Sequence, residues 1–181
     1  MTRPGFAYAA FLLCVLLCVG FARPAFAAQS NGTSRTTVVS SLSLIKDADL
    51  NFGDLISGTT ASTVIVDPQG TRQVTGSVVE AGGTVSAARF QGSGTGGQRI
   101  RLRAPSGSYT LTEGVSGAIM ILRDLTMEVD NATLLGRGNS GQYRITGAGP
   151  FTVRIGGTLD VGANQTPGAY VGTFEVDVNY F

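Results

Sequence analysis

The sequence predicts an all-β protein folded as a single β-sandwich. Three observations carry this. Short apolar runs alternate with polar residues, the period of two that marks a half-buried strand. The runs are spaced near ten residues with turn chemistry between, at Asp67-Pro68-Gln69-Gly70, Gly92–Gly97, Pro105-Ser106-Gly107, Gly136–Gly141 and Pro167-Gly168. No segment holds a convincing helical period. The nearest, Leu122, Leu125 and Val129, sits among β-branched neighbours in an all-β context, so a strand is expected there.

The first element is an export signal. Arg3 is the only charge before Arg23, and the apolar stretch between them centres on Phe11–Ala22. Pro24 and then Ala25-Phe26-Ala27 follow, which fits the small-residue pattern of a peptidase site. Residues 1–27 therefore read as a signal peptide cut after Ala27. The alternative is an uncleaved anchor, since 5–22 is uncharged and about 18 apolar residues are the least that span a bilayer. The Ala-x-Ala site favours cleavage. Leu17 stands before Cys18 where a lipoprotein signal needs a small residue.

Residues 28–35 are small and polar and are expected to be a flexible lead-in to one domain over 36–181. Within it, strands are predicted near Thr36–Ile45, Ser62–Val66, Val74–Val79, Thr84–Phe90, Arg99–Arg103, Tyr109–Thr112, Ala118–Val129, Gln142–Ile145, Phe151–Leu159 and Tyr170–Tyr180. The last is the most informative. Phe174, Val176, Val178 and Tyr180 share one face, and Glu175, Asp177 and Asn179 share the other. A strand built this way needs a partner along its length, from its own sheet or from another chain.

Composition narrows the chemistry. Cleavage removes both cysteines, Cys14 and Cys18, so the exported chain has no disulfide or thiolate site. Arg3 and Arg23 leave too, so the 13 basic residues become 11 against 12 acidic ones. That balance gives no global attraction to nucleic acid or anionic membrane. The chain has no histidine, which excludes a Ser-His-Asp triad, a Cys-His pair and a histidine metal site. No enzymatic activity and no cofactor are expected.

Several motifs have a chemical and a plain reading. Gly92-Ser93-Gly94-Thr95-Gly96-Gly97 spells a dinucleotide loop, but such a loop must open a helix. Gln98–Arg103 alternates like a strand instead, so a hairpin connection is expected. Arg99, Arg101 and Arg103 share a strand face where they could hold a polyanion. A solvated face that discourages edge pairing is preferred, because no aromatics interleave. Asp47, Asp49 and Asp54 resemble the start of a calcium loop. Position six is Phe52 and position twelve is Gly58, so the pattern fails and solvated turn acids are expected. Glu128 and Asp130 are read the same way.

Two resemblances follow from quoted residues. Leu50-Asn51-Phe52-Gly53, Val66-Asp67-Pro68, Ala87-Ala88-Arg89-Phe90, Met127-Glu128-Val129-Asp130 and Gly156–Gln165 running into Gly168–Phe174 resemble the bacterial secreted family called domain of unknown function 4402. That resemblance implies export and a β-rich domain, and supplies no activity. The C-terminal strand resembles that of chaperone–usher pilus subunits. Gly168 is fourteenth from the end, Tyr180 is penultimate, and Phe174, Val176 and Val178 fall in register. This implies an incomplete immunoglobulin-like fold that receives a strand from a periplasmic chaperone and then from a neighbouring subunit at an usher. Val38, Ser40, Leu42 and Leu44 would supply such a donor strand. The absence of a cysteine pair departs from many pilins.

The expected function is therefore a structural or adhesive surface protein, in the periplasm, at the cell surface or outside the cell, assembling by strand addition. The runner-up is a self-complete secreted module that binds a polysaccharide or another extracellular ligand.

Overall fold

The computed structural model describes residues 36, 38, 40–103, 105–136, 141–147 and 149–181. The signal peptide at 1–27 and the lead-in at 28–35 lie outside the described residues. The chain divides into two compact units, Met1–Thr37 and Val38–Phe181, and the second carries the strands.

Every regular element described is a strand. In chain order they are β1 (Ser43–Ala48), β2 (Asn51–Ile56), β3 (Ser62–Val66), β4 (Arg72–Thr75), β5 (Val79–Ser86), β6 (Ala88–Ser93) and β7 (Arg99–Arg103). Then follow β8 (Tyr109–Glu113), β9 (Ile119–Asp130), β10 (Ala132–Gly136), β11 (Gly141–Ile145), β12 (Phe151–Val161), β13 (Tyr170–Val171) and β14 (Asp177–Tyr180).

Eight strands form a large sheet along the path β1-β6-β12-β9-β8-β13, with β3 joined to β12 and β4 joined to β3. The central strand, β12, is long enough to serve two neighbours on one side. Phe151–Ile155 pairs with β6, Gly157–Val161 pairs with β3, and β9 runs along the opposite side. A four-stranded sheet runs β10-β11-β7-β14, and β2 and β5 form a separate pair.

Alternation decides what is buried. Phe151, Val153 and Ile155 of β12 meet Ile100 and Leu102 of β7 and Ile145 of β11 in one core between the large and small sheets. All six are fully buried, each contributing about 1.5–3 kcal/mol. A second core gathers Phe52, Val64, Val66, Val78, Leu122, Leu159 and Val161. The turn at Asp67 forms as its residues require. The Asp67 carboxylate accepts the amides of Gln69 and Thr71, and Gly70 N–H donates to the Asp67 carbonyl.

Five expectations are corrected. The run Val74–Val79 is broken at 76–78, where Gly76 takes φ +103° and the Ser77 and Val78 amides donate to the Ser62 hydroxyl. The strand expected over Thr36–Ile45 starts only at Ser43. The run Thr84–Phe90 is cut at Ala87 into β5 and β6. β2 and β10 were not foreseen, since Asn51, Gly53 and Asp54 hide any apolar alternation in β2 and the adjacent Leu134 and Leu135 break it in β10. The expected strand Tyr170–Tyr180 divides at 172–176, because its halves pair with different sheets. β13 pairs with β8 in the large sheet and β14 with β7 in the small one.

Candidate strand-assembly edge

β14 is an outer strand of the small sheet. Its register against β7 sets Asp177 opposite Arg103, Val178 opposite Leu102, Asn179 opposite Arg101 and Tyr180 opposite Ile100. Phe181 N–H donates to the Arg99 carbonyl. In an antiparallel ladder the bonded pairs alternate, so residues 177, 179 and 181 bond to β7. The N–H and C=O groups of Val178 and Tyr180 then point away from β7, along the open edge.

The predicted facing is reproduced in the burial pattern. Phe174, Val176, Val178 and Tyr180 turn inward and pack against the first core, while Glu175, Asp177 and Asn179 are exposed. The inward residues are only half-buried. Phe174 also reaches the second core and meets Tyr109 edge-on, with ring centroids 6.2 Å apart at 61°.

Tyr180 ties the seam at one end. Its hydroxyl accepts from Thr95 N–H at 2.9 Å and donates to the Ser40 carbonyl at 3.1 Å. Ser40 N–H in turn donates to the Thr95 hydroxyl at 2.7 Å. Two glycines of 92–97 serve this packing. A Cβ at Gly92 would fall 2.1 Å from the Phe151 ring, and one at Gly94 would fall 2.8 Å from the Tyr180 hydroxyl. A Cβ at Gly97 would meet no neighbour, and this glycine instead supplies a left-handed turn at φ +79°.

The expected donor segment is engaged in its own fold. β1 pairs with β6, the Ser43 and Ser93 hydroxyls meet at 2.6 Å, and Leu42 and Leu44 pack on the first core. Val38 is 90% exposed. Gly168 lies before β13, not at the start of β14, which corrects its expected role at the entry of the final strand. A Cβ there would fall 2.4 Å from the Glu113 side chain, so glycine is required by close approach.

Glu113 is buried, and its carboxylate accepts from the Ser116 hydroxyl at 2.6 Å, Ser116 N–H at 2.5 Å and Val115 N–H at 3.1 Å. The Ser116 hydroxyl and then these amides hold its pKa below the ordinary 4.5, against the opposing effect of burial. A lowered carboxylate pKa stabilises the fold above the unfolded value and loses that contribution as pH falls through the folded value. Acid titration should therefore loosen the 113–118 turn below about pH 4.5. Glu113→Gln should flatten that part of the pH–stability curve. An unchanged acid limb in the variant would remove Glu113 from the account.

The remaining candidates are dispersed. Asp47 pairs with Arg89, Asp49 pairs with Lys46 at 2.7 Å, and Asp54 lies in β2. Glu128 accepts from Gln69, and Asp130 pairs with Arg154. Among the described residues no three carboxylates gather to hold a metal. Arg99, Arg101 and Arg103 lie on the exposed face of β7. β7 is paired on both sides, so the edge-protection reading of these arginines is corrected.

A cleft of about 490 Å³ opens between β2 and the 165–170 loop. The polar groups of Gln165 and Tyr170 in its wall are engaged within the fold. Gln165 donates to the Ile119 carbonyl and the Tyr170 hydroxyl and accepts from Gly162 N–H. Sequence reasoning missed Glu113, which acts through a turn with no motif, and it read Ser40 as a donor residue and Thr95 as part of a glycine loop without their bonds to Tyr180, a partner remote in sequence.

The family model described as Domain of unknown function (DUF4402) matches residues 42–180, from Leu42 through the half-buried Tyr180. No curated protein and no solved structure matches the chain. The chain belongs to the DUF4402 family.

Proposed function

We propose that this protein is a non-enzymatic structural or adhesive surface component, exported through residues 1–27, that assembles by adding a strand to the open edge of β14. One contrast carries the reading. Ile100 and Leu102 of β7 are fully buried, yet Tyr180 and Val178, directly opposite them in register, remain half-exposed. An added strand would cover those side chains and satisfy the outward N–H and C=O groups in one step.

Strand order supports the same reading. In chain order, β1-β6-β12-β9 reads as the A-B-E-D sheet of an immunoglobulin-like sandwich, and β14-β7 reads as F beside C. The position beyond F, where a seventh strand would run, is unfilled among the described residues. The partners in this reading are a like subunit and, before it, a periplasmic chaperone and an usher. A donor role for Val38, Leu42 and Leu44 then means release of β1 from β6 and exchange between copies.

A self-complete extracellular binding module is the second reading. The seating of Leu42 and Leu44 on their own core and the Tyr180–Ser40 closure favour it. Sedimentation of the exported chain over a wide concentration range, with and without a peptide copying Thr37–Ile45, separates the two. Strand addition gives concentration-dependent association or peptide binding. Val178→Pro, which removes an edge N–H while leaving the β7 bonds, should abolish it without loss of folding. A monomer at all concentrations that ignores the peptide would contradict assembly.

A further inference from the structure

The outer face of the small sheet carries an unneutralised arginine array. Lys46, Arg72, Arg89, Arg123 and Arg154 each reach a carboxylate. Among the described residues Arg99, Arg101, Arg103 and Arg144 form no ion pair, and all four are exposed on this one face. β11 brings Arg144 directly opposite Arg99. Like charges facing each other across strands are unfavourable without a counter-charge. Arg101 rests over the Phe181 ring, 5.0 Å from its centroid, so it is held without an acid partner.

The pairing makes this a lattice. Gln142, Arg101 and Asn179 align across three strands, and Thr133, Arg144 and Arg99 form the neighbouring row. Neighbours are about 5 Å apart across strands and about 7 Å along them. Asp177, opposite Arg103, and Glu175 two residues before it are the acids at one border.

We infer that this face binds an acidic polysaccharide, through guanidinium contacts to its carboxylate or sulfate groups and amide contacts from Gln142 and Asn179 to its hydroxyls. The repeated array suits an extended polymer rather than one small anion. Arg presents paired N–H donors that match a carboxylate or sulfate edge. Single-stranded nucleic acid fits less well, because Phe181 is the aromatic on this face and Arg101 covers it. A membrane surface fits less well because Phe181, the exposed ring beside these arginines, lies under the Arg101 guanidinium rather than free to insert. The inference does not depend on strand addition at β14.

The test is affinity electrophoresis and direct titration of the exported chain at physiological salt. Polygalacturonate and dextran sulfate are the probes, with neutral dextran, a single-stranded DNA oligomer and phosphatidylglycerol vesicles as comparison arms. Binding to an acidic polysaccharide that weakens as salt rises is expected, with little retention by neutral dextran. The pair Arg99→Gln/Arg144→Gln should weaken it about tenfold or more. Arg89→Gln, at an exposed arginine away from this face, should leave it unchanged, and Asp177→Asn should tighten it. Thermal melts check that each variant folds. Three results would overturn the inference: no binding to either acidic polysaccharide, equal losses in the Arg89 and Arg99/Arg144 variants, or stronger binding to DNA or vesicles.

Discussion

Replacing Phe151 with alanine should destabilise the domain by about 3–5 kcal/mol, the usual cost of emptying a buried aromatic site. Phe151 is fully buried on the central strand and is the largest wholly enclosed side chain. It sits opposite Gly92 in the β12–β6 register, and its ring occupies the space a side chain at 92 would need. Gly92→Ala should therefore cost about 1–3 kcal/mol by overpacking. The two sites are coupled, so their effects should not add. Gly92→Ala in a Phe151→Leu background should cost less than in the parent, since the smaller side chain leaves room for the methyl. Denaturant melts of the four proteins check this. Simple additivity would mean the ring and the glycine do not share that space.

Tyr180→Ala should cost about 2–3 kcal/mol, less than for a fully buried aromatic because the ring is half-exposed. Two effects combine. The ring leaves the first core, and the hydroxyl leaves Thr95 N–H and the Ser40 carbonyl without their partner. Tyr180→Phe isolates the second effect and should cost about 1 kcal/mol. Asn179→Ala, on the exposed face, should stay within about 0.5 kcal/mol. Equal losses at 179 and 180 would overturn the facing of β14, and no loss at 180 would remove the seam from the folded core.

The elements that were legible in sequence are those whose alternation is uninterrupted. Arg99–Arg103 matches β7 at both ends because it alternates cleanly, and Ser62–Val66 matches β3 because its β-branched run Val64-Ile65-Val66 is closed by Asp67-Pro68. The inward face of Phe174–Tyr180 was legible for the same reason. β2 was hidden because it is stitched from outside its own pattern. The Asn51 side chain accepts Gly53 N–H, and Arg72, remote in sequence, donates to the Phe52 carbonyl at 2.8 Å and pairs with Glu80 at 2.8 Å.

Long-range pairing was the part that local periodicity does not encode. Nothing within Tyr170–Tyr180 states that its two ends belong to different sheets. The sharing of β12 between β6 and β3 is equally silent, as is the placing of Arg144 beside Arg99. The seam that joins Ser40, Thr95 and Tyr180 depends on contacts across most of the domain, and the Ser40–Tyr180 bond joins residues 140 positions apart. The family likeness read from Leu50–Gly53 and the Gly156–Phe174 segment did extend across the domain, as the match over 42–180 shows.

Residue-resolved hydrogen exchange tests the central claim, an open β14 edge that receives a strand, most directly. In the dilute exported chain, the Asn179 and Phe181 amides, which face β7, should be protected. The Val178 and Tyr180 amides, which face the open edge, should exchange quickly. Raising the protein concentration or adding the Thr37–Ile45 peptide should slow exchange at Val178 and Tyr180 while leaving Asn179 little changed. Protection of all four amides in the dilute monomer, or fast exchange at Val178 and Tyr180 under every condition, would contradict strand addition at this edge.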